Sequence, residues 1–265
     1  MRNLIIQYYI RGDGKKYKYT KVPEWALVSR RSFEEYSSKY NVEYMWYEEQ
    51  TIDSPSPFFE SLRPVYDSTL DVYDYILYVD CDVYAADDTD NIFDYAKDIG
   101  DVGGVMDRHI TELDEELVKY IAQKNQTFSD GWFNYEVEAH DAIRQHYQNW
   151  FKWKKSTTHP ALDQFINSGV VMWSKQGRLK AREQFKSTRD YYTNIEFGPT
   201  NGHRFQMYDQ GYLNTMLAML DFDVTELPVR FNDQEWERYR APLNASNTFI
   251  HYTGDKGKDC LVHIR

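Results

Sequence analysis

Along the first hundred positions, short runs of apolar residues alternate with longer stretches in which apolar residues recur every three or four places. Leu4-Ile5-Ile6-Gln7-Tyr8-Tyr9 is apolar and β-prone, and Gly12 and Gly14 close it, so a strand is expected there. Pro23 suits a first helical turn and Glu24 complements the positive helix end. Trp25, Val28, Phe33, Tyr36 and Tyr40 then follow at roughly helical spacing. Val42–Tyr47 reads as a second strand. After the turn-rich Ser54-Pro55-Ser56-Pro57, the residues Phe59, Leu62, Tyr66 and Leu70 mark a second helix. Tyr75-Ile76-Leu77-Tyr78-Val79 is the clearest buried strand of the chain. Asn91 to Lys97 is expected to be a short helix, and Asp101 to Met106 another strand.

Strands alternating with helices imply a parallel sheet with helical crossovers. Such sheets bind ligands beyond the carboxyl ends of their strands, so chemistry is sought in the polar residues that follow them. From Asp107 to Ala161 the pattern changes: Glu112–Lys124 and Glu138–Trp153 look helical, the second very aromatic. His109, His140, His146 and His159 lie in this stretch, but their spacing is not that of a metal-binding helix. A strand at Val170–Trp173 and helices at Gln176–Tyr192 and Gly211–Leu220 follow. In the last of these, Leu213, Met216, Leu217 and Leu220 recur at helical intervals. Without repeat, low-complexity segment or linker, residues 1–265 read as one domain with two lobes, about 1–106 and about 107–265.

Composition narrows the function. Of 265 residues, 42% are hydrophobic and 28% charged, enough for a globular core. The formal charge of −11 argues against nucleic-acid binding, which needs clustered cations. Two cysteines, Cys81 and Cys260, make neither a disulfide framework nor a four-cysteine zinc site. No apolar run is long enough for a transmembrane segment, and Leu4–Tyr9 is too short for the core of a signal peptide, so a cytoplasmic location is expected. The aromatic share of 17% suits sugar and base surfaces as well as cores.

The sharpest chemical feature is Val79-Asp80-Cys81-Asp82-Val83. In an extended chain, residues two apart share a face, so both acids at this strand end would converge. Two convergent carboxylates are costly unless a cation neutralises them, which suggests a divalent metal. Asp87-Asp88-Thr89-Asp90 reads instead as the cap and charge complement of the helix at Asn91. Three further segments stand out: Asn167-Ser168-Gly169 opening a buried strand, Asp209-Gln210 opening a helix, and His251-Tyr252-Thr253-Gly254 followed by Lys256 and Lys258.

In this order, the segments resemble the family-eight retaining glycosyltransferases, the group that includes glycogenin and bacterial lipooligosaccharide galactosyltransferases. The likeness runs from Leu4 to about Lys258 and is weakest over Asp107–Ala161. The family's Asp-x-Asp falls on Asp80 and Asp82, its Asn-Ser-Gly on Asn167, Ser168 and Gly169, and its Asp-Gln on Asp209 and Gln210. Its Leu-Pro…Asn falls on Leu227, Pro228 and Asn232, and its metal-completing His-x-x-Gly on His251 and Gly254. The Lys-Pro-Trp that usually follows is replaced here by Lys256 and Lys258, so either lysine is a candidate for the diphosphate.

The resemblance implies an α/β GT-A fold with a mixed, mainly parallel central sheet flanked by helices. It further implies a UDP-sugar donor, a carbohydrate acceptor and retention of anomeric configuration. A metal held by Asp80, Asp82 and His251 would offset the charge of the leaving diphosphate. Carboxylates suit Mg²⁺ or Mn²⁺, and the imidazole tilts the choice toward Mn²⁺. The sugar would meet Asn167, with Ser168 beside it, and the Asp209–Gln210 corner. Either Asp209 or Gln210 is the nucleophile by position if a double displacement operates, and a same-face mechanism needs neither. Tyr8, Tyr9 and Ile10, at the end of the first strand, are the expected neighbours of uracil and ribose.

Two other readings compete. A haloacid-dehalogenase-type phosphatase would use Asp80 as nucleophile and Asp82 as acid/base, but its motif normally opens the domain. A catalytically inactive, glycan-binding GT-A protein would keep the scaffold alone.

Overall fold

The computed structural model describes residues 1–11, 20–54, 56–106, 166–189, 209–233 and 249–264. The helices expected at Glu112–Lys124 and Glu138–Trp153, and His109, His140, His146 and His159, lie outside the described residues.

The first strand, β1 (Asn3–Tyr8), is parallel to β2 (Glu43–Tyr47) on one side and to β3 (Tyr75–Val79) on the other. Between β1 and β2 runs α1 (Glu24–Tyr40), which ends at Asn41 in the left-handed conformation, φ 54°. That C-cap lets the Asn41 and Val42 amides close on the carbonyls of Ser38 and Ser37. Phe33 and Tyr36 of α1 pack with Ile5, Leu77 and Val79 on one face of the sheet.

The second expected helix is broken into three pieces. A 3₁₀ turn at Pro57–Leu62 is capped by Ser56, a single α-turn α2 (Arg63–Tyr66) follows, and a second 3₁₀ turn spans Ser68–Val72. Pro64 has no N–H to give the preceding turn, and the Asp67 side chain takes the Thr69 amide at 3.0 Å and restarts the chain. Beneath this segment the buried Glu60 pairs with Arg63 at 2.7 Å and also accepts the Thr51 and Ile52 amides.

The sheet is not purely parallel. Its order is β2-β1-β3-β6-β5-β7, where β5 is Val102–Met106, β6 Ile166–Ser174 and β7 Val224–Glu226. The nine-residue β6 is antiparallel to both β3 and β5, while β7 joins β5 in parallel. Every residue of β6 is buried, and its side chains alternate: Val170 and Met172 join Leu77 and Val79, whereas Val171 and Trp173 face Leu213 and Phe185. Two helices pack on β6, α3 (Lys175–Gln184) and α4 (Asp209–Met219). In α4, Tyr212, Leu213, Asn214, Met216 and Leu217 are all buried. Among the described residues, no helix is long and apolar enough to cross a membrane.

A second, two-stranded sheet lies beyond the end of β3. The chain leaves the main sheet, forms β4 (Val83–Ala85) and pairs antiparallel with β8 (Phe249–His251). The closing helix α5 (Gly254–Leu261) contacts α1. The segment expected to be helical from Asn91 is a 3₁₀ helix at Ile92–Asp98, and its cap is Asn91 itself, whose Oδ1 accepts the Phe93 amide. The preceding acidic run serves other partners: Lys39 donates to the Asp87 carbonyl at 2.7 Å, and Asp90 pairs with Arg230 at 3.0 Å.

Gly177 sits in the first turn of α3, where a Cβ would fall 2.5 Å from the carbonyl carbon of Asp101. Since backbone cannot yield there, Gly177→Ala is expected to destabilise the fold by about 2 kcal/mol, read as a lowered urea midpoint with unchanged slope.

Candidate metal centre

The strongest strand, β3, delivers Asp80 to the open end of the sheet. Its amide donates to the Gly169 carbonyl at 2.8 Å. The chain then turns at once, with the Val83 amide returning to the Asp80 carbonyl at 3.2 Å. The extended geometry expected for Asp80-Cys81-Asp82 is therefore replaced by a tight turn. The two carboxylates still converge, through the turn rather than through strand alternation. Gln7 of β1 braces the turn, donating to the Asp80 carbonyl at 3.1 Å and to Ser29 at 2.9 Å.

The small sheet supplies the third group. Val83 pairs with His251 across β4 and β8, and the Tyr252 amide donates to the Asp82 carbonyl at 2.8 Å. The buried His251 thus points its Nε2 to 3.2 Å from Asp82 Oδ1 and 3.8 Å from Asp80 Oδ2. One ligand atom from each of Asp80, Asp82 and His251 lies within 4.8 Å of the others. Two carboxylate oxygens and an imidazole nitrogen form a donor set that can hold a divalent metal.

A chain of side-chain amides fixes the imidazole. Asn167 Nδ2 donates to Gln210 Oε1 at 3.2 Å, and Asn232 Nδ2 donates to Asn167 Oδ1 at 2.8 Å. Asn232 Oδ1 is left to face His251 Nδ1 at 2.9 Å. With an acceptor opposite it, Nδ1 carries the hydrogen, and Nε2 presents its lone pair toward the carboxylates when the ring is neutral. Gly169 makes the space: a Cβ there would come within 2.8 Å of His251 Nδ1 and closer still to Cε1. Asn214 of α4 holds the start of β6 with two 2.8 Å bonds to the Ile166 amide and carbonyl, which places Asn167 and Ser168 beside Asp209 and Gln210.

Two contacts at the centre were not anticipated from the sequence. The Tyr78 hydroxyl donates to Asp80 Oδ1, leaving Oδ2 toward His251. Lys258 Nζ lies 3.2 Å from Asp82 Oδ2 and 4.9 Å from the Trp25 ring centroid. Asn232 was legible only as a family motif position, and Tyr78 only as an apolar strand residue.

Electrostatics divides the acids. Burial, together with the Asp82 charge, raises Asp80 to about 6. Burial and the nearby Asp80 raise Asp209 to about 7. Burial also pushes Asp82 upward, but Lys258 and His251 outweigh it and hold this carboxyl at about 2. Burial would lower His251, yet Asp82 and Asp80 carry it above the ordinary imidazole value.

The remaining expected residues differ in what they contact. Asp209 is buried, with its Oδ1 3.5 Å from Ser168 Oγ. Gln210 Oε1 accepts the Ser168 amide at 3.1 Å. Tyr8 stacks on Tyr78 with ring centroids 5.7 Å apart and donates to the Phe58 carbonyl at 2.9 Å. Tyr9 meets Trp25 edge-on at 5.8 Å, and Ile10 is half-buried. Gly254 starts α5, and the side chain of Lys256 lies outside the described residues.

No protein-family model matches the chain, and no curated protein matches it. Solved structures do. A glycosyltransferase involved in the glycosylation of the major capsid of the virus PBCV-1 aligns at 12% identity and a TM-score of 0.53, over 98% of this chain and 99% of its own. The galactosyltransferase LgtC with donor and acceptor sugar analogs aligns at 12% identity and 0.45, over 95% and 87%. Mouse xyloside xylosyltransferase 1 aligns at 10% and 0.45, over 96% and 97%. The fold is that of the GT-A glycosyltransferases, a mixed α/β scaffold with a mainly parallel central sheet.

The metal-free centre has a definite pH signature. Asp80 and Asp209, raised to about 6 and about 7, and the raised His251 all bind protons more tightly folded than unfolded. Their stabilising contribution is complete below the unfolded carboxylate values for the acids, and below about 6.5 for the histidine. It is lost as pH rises through the folded values. Asp82, lowered to about 2, changes only below pH 4. With chelator present, the melting temperature is expected to fall by roughly 5 °C from pH 5 to pH 8, and Mn²⁺ is expected to reverse that slope.

Proposed function

We propose that this chain is a metal-dependent retaining glycosyltransferase of the family-eight type, transferring a hexose from a UDP-sugar to a carbohydrate acceptor. The observation that carries the reading is the convergence of Asp80, Asp82 and His251 at the open end of a GT-A sheet, with the Gln210–Asn167–Asn232 amide chain ending on the same imidazole. A strand-end carboxylate pair with a distant histidine is what a nucleoside diphosphate needs in an acidic protein, because a bound cation inverts the local sign.

Asp80, Asp82 and His251 would hold the divalent ion, Mn²⁺ for this mixed donor set, which supplies Lewis acidity to the departing diphosphate. Gly254 would bring the start of α5 to the phosphates, and Lys256 or Lys258 would add a fixed positive charge where negative charge grows. Asn167, Ser168 and the Asp209–Gln210 corner would read sugar hydroxyls. Tyr8, Tyr9 and Ile10 would border the base and ribose.

The two candidate nucleophiles separate on their contacts. Gln210 Oε1 accepts from Asn167 Nδ2, the Ser168 amide and Ser168 Oγ, which commits its lone pairs to positioning. Asp209 is the stronger candidate of the two. Held at about 7 by burial and Asp80, it would be substantially neutral beside the unligated centre and would ionise as a cation offsets Asp80. If attack and departure share one face of the sugar, Asp209 and Gln210 act as binding groups for the oxocarbenium-like sugar.

The reading is tested by thermal shift with a nucleotide panel. UDP with Mn²⁺ is expected to raise the melting temperature by several degrees, about 4 °C at a hundredfold excess over Kd, with smaller shifts for GDP and CMP. Asp82→Ala is expected to abolish both this shift and slow UDP-sugar hydrolysis. Gly169→Ala removes no ligand atom, yet is expected to cost at least tenfold in Mn²⁺·UDP affinity by displacing His251. A flat panel, or rapid metal-dependent hydrolysis of a generic phosphate ester, would overturn the assignment in favour of a scaffold protein or a phosphatase respectively.

A further inference from the structure

Lys258 stands where a diphosphate-binding lysine would be sought, yet its ammonium is already engaged. It lies 3.2 Å from Asp82 Oδ2, and the opposite oxygen, Oδ1, faces His251 at 3.2 Å. Both oxygens of one candidate metal ligand thus have cationic or cation-prone partners. Asp80 has a different arrangement, with one oxygen taken by the neutral Tyr78 hydroxyl. The ammonium is also placed from outside: it sits 4.9 Å from the centroid of Trp25, whose own ring is met edge-on by Tyr9 at 5.8 Å. A cation over an indole face is attracted by the ring's quadrupole, and more strongly where water is scarce. Trp25 comes from α1 and Lys258 from α5, two helices that contact one another, so the ammonium is held between an indole and a carboxylate.

We propose that Lys258 is a resident counter-cation of Asp82, kept there by Trp25, which a divalent ion must displace and which makes metal binding depend on the nucleoside diphosphate. The inference rests on the metal-site reading above. A bare cation approaching Asp82 meets a fixed positive charge, and taking the carboxylate leaves that ammonium without its anionic partner. A cation that arrives with a diphosphate brings a new anion for the displaced lysine, and the indole face keeps the lysine nearby while it changes partner. Lys258 therefore opposes the ion alone and favours the ion with its nucleotide. The coupling is reciprocal, because whatever the diphosphate does for metal affinity the metal does equally for the diphosphate.

The test compares Mn²⁺ binding, followed by the loss of the free-ion electron paramagnetic resonance signal, in the absence and presence of UDP. If Asp82 is free of its lysine about a tenth of the time, Lys258→Met is expected to tighten binding of bare Mn²⁺ about tenfold. The same change is expected to weaken Mn²⁺ in the presence of UDP by at least fivefold, so that the nucleotide dependence collapses. Lys258→Arg keeps a cation at the carboxylate and is expected to leave bare Mn²⁺ affinity within twofold of the parent. Trp25→Leu is expected to shift bare Mn²⁺ binding in the same direction as Lys258→Met, by a smaller factor. Far-UV circular dichroism of each variant confirms that the fold is kept. Unchanged or weakened bare Mn²⁺ binding in folded Lys258→Met, while the parent binds Mn²⁺ with UDP, overturns the counter-cation role and leaves the metal-site reading intact. A parent protein that takes up no Mn²⁺ with any nucleotide overturns both.

Discussion

Asp80 and Asp82, two residues apart, follow the innermost parallel strand to a half-buried place at its end, Asp82 the more covered of the two. Like charges so close disfavour joint ionisation unless a cationic neighbour is present. Much of the surrounding structure answers that constraint. Lys258 and His251 hold Asp82 ionised, Tyr78 engages one oxygen of Asp80, and Asp80 itself is driven toward neutrality at about 6. The partners are placed by different means: Tyr78 by the strand that leads to Asp80, His251 by the pairing of β8 with β4, and Lys258 by helix α5 beside Trp25. A divalent ion would meet the same need more fully, and the donor atoms are already arranged for one.

The sequence is most legible where a local pattern decides the outcome. Tyr75–Val79 is a buried strand because its five residues have no polar alternative, and the acids after it fall at the strand end. The first helix is equally plain from its aromatic spacing. Legibility fails where the outcome depends on distant partners. Nothing in Ile166–Ser174 shows that this strand will run backwards between β3 and β5, since a fully buried strand fits a sheet in either direction. The pairing of β4 with β8 involves only three residues on each side, too few to leave a periodic trace. The helix expected after Pro57 ignored Pro64, and the cap assigned to the acidic run belonged to the residue that followed it.

The candidate site shows the same division. Asp80, Asp82 and His251 were identifiable as residue types in a family order, but their meeting depends on the small sheet that places His251 opposite Val83. Gly169 was a motif letter until the imidazole lying over it supplied the reason. Lys258 is one of two candidate lysines for the diphosphate, and its partner in the structure is a carboxylate. The amide chain from Gln210 through Asn167 and Asn232 to His251 carries a further implication: the groups that would read the sugar and the group that would hold the ion share one hydrogen-bonded assembly. On the proposed function, disturbing either end would shift the other, so donor selectivity and cation affinity would be linked traits.

The three-residue pairing of β4 with β8 has a consequence for biosynthesis. During translation, Asp80 and Asp82 leave the ribosome long before His251, and the sheet that aligns them cannot form until the later strand exists. The emerging polypeptide therefore passes through a long interval with the acidic turn made but His251 not yet present to meet it. Loading with the proposed ion would then be a late event, reserved for polypeptides already extended through β8.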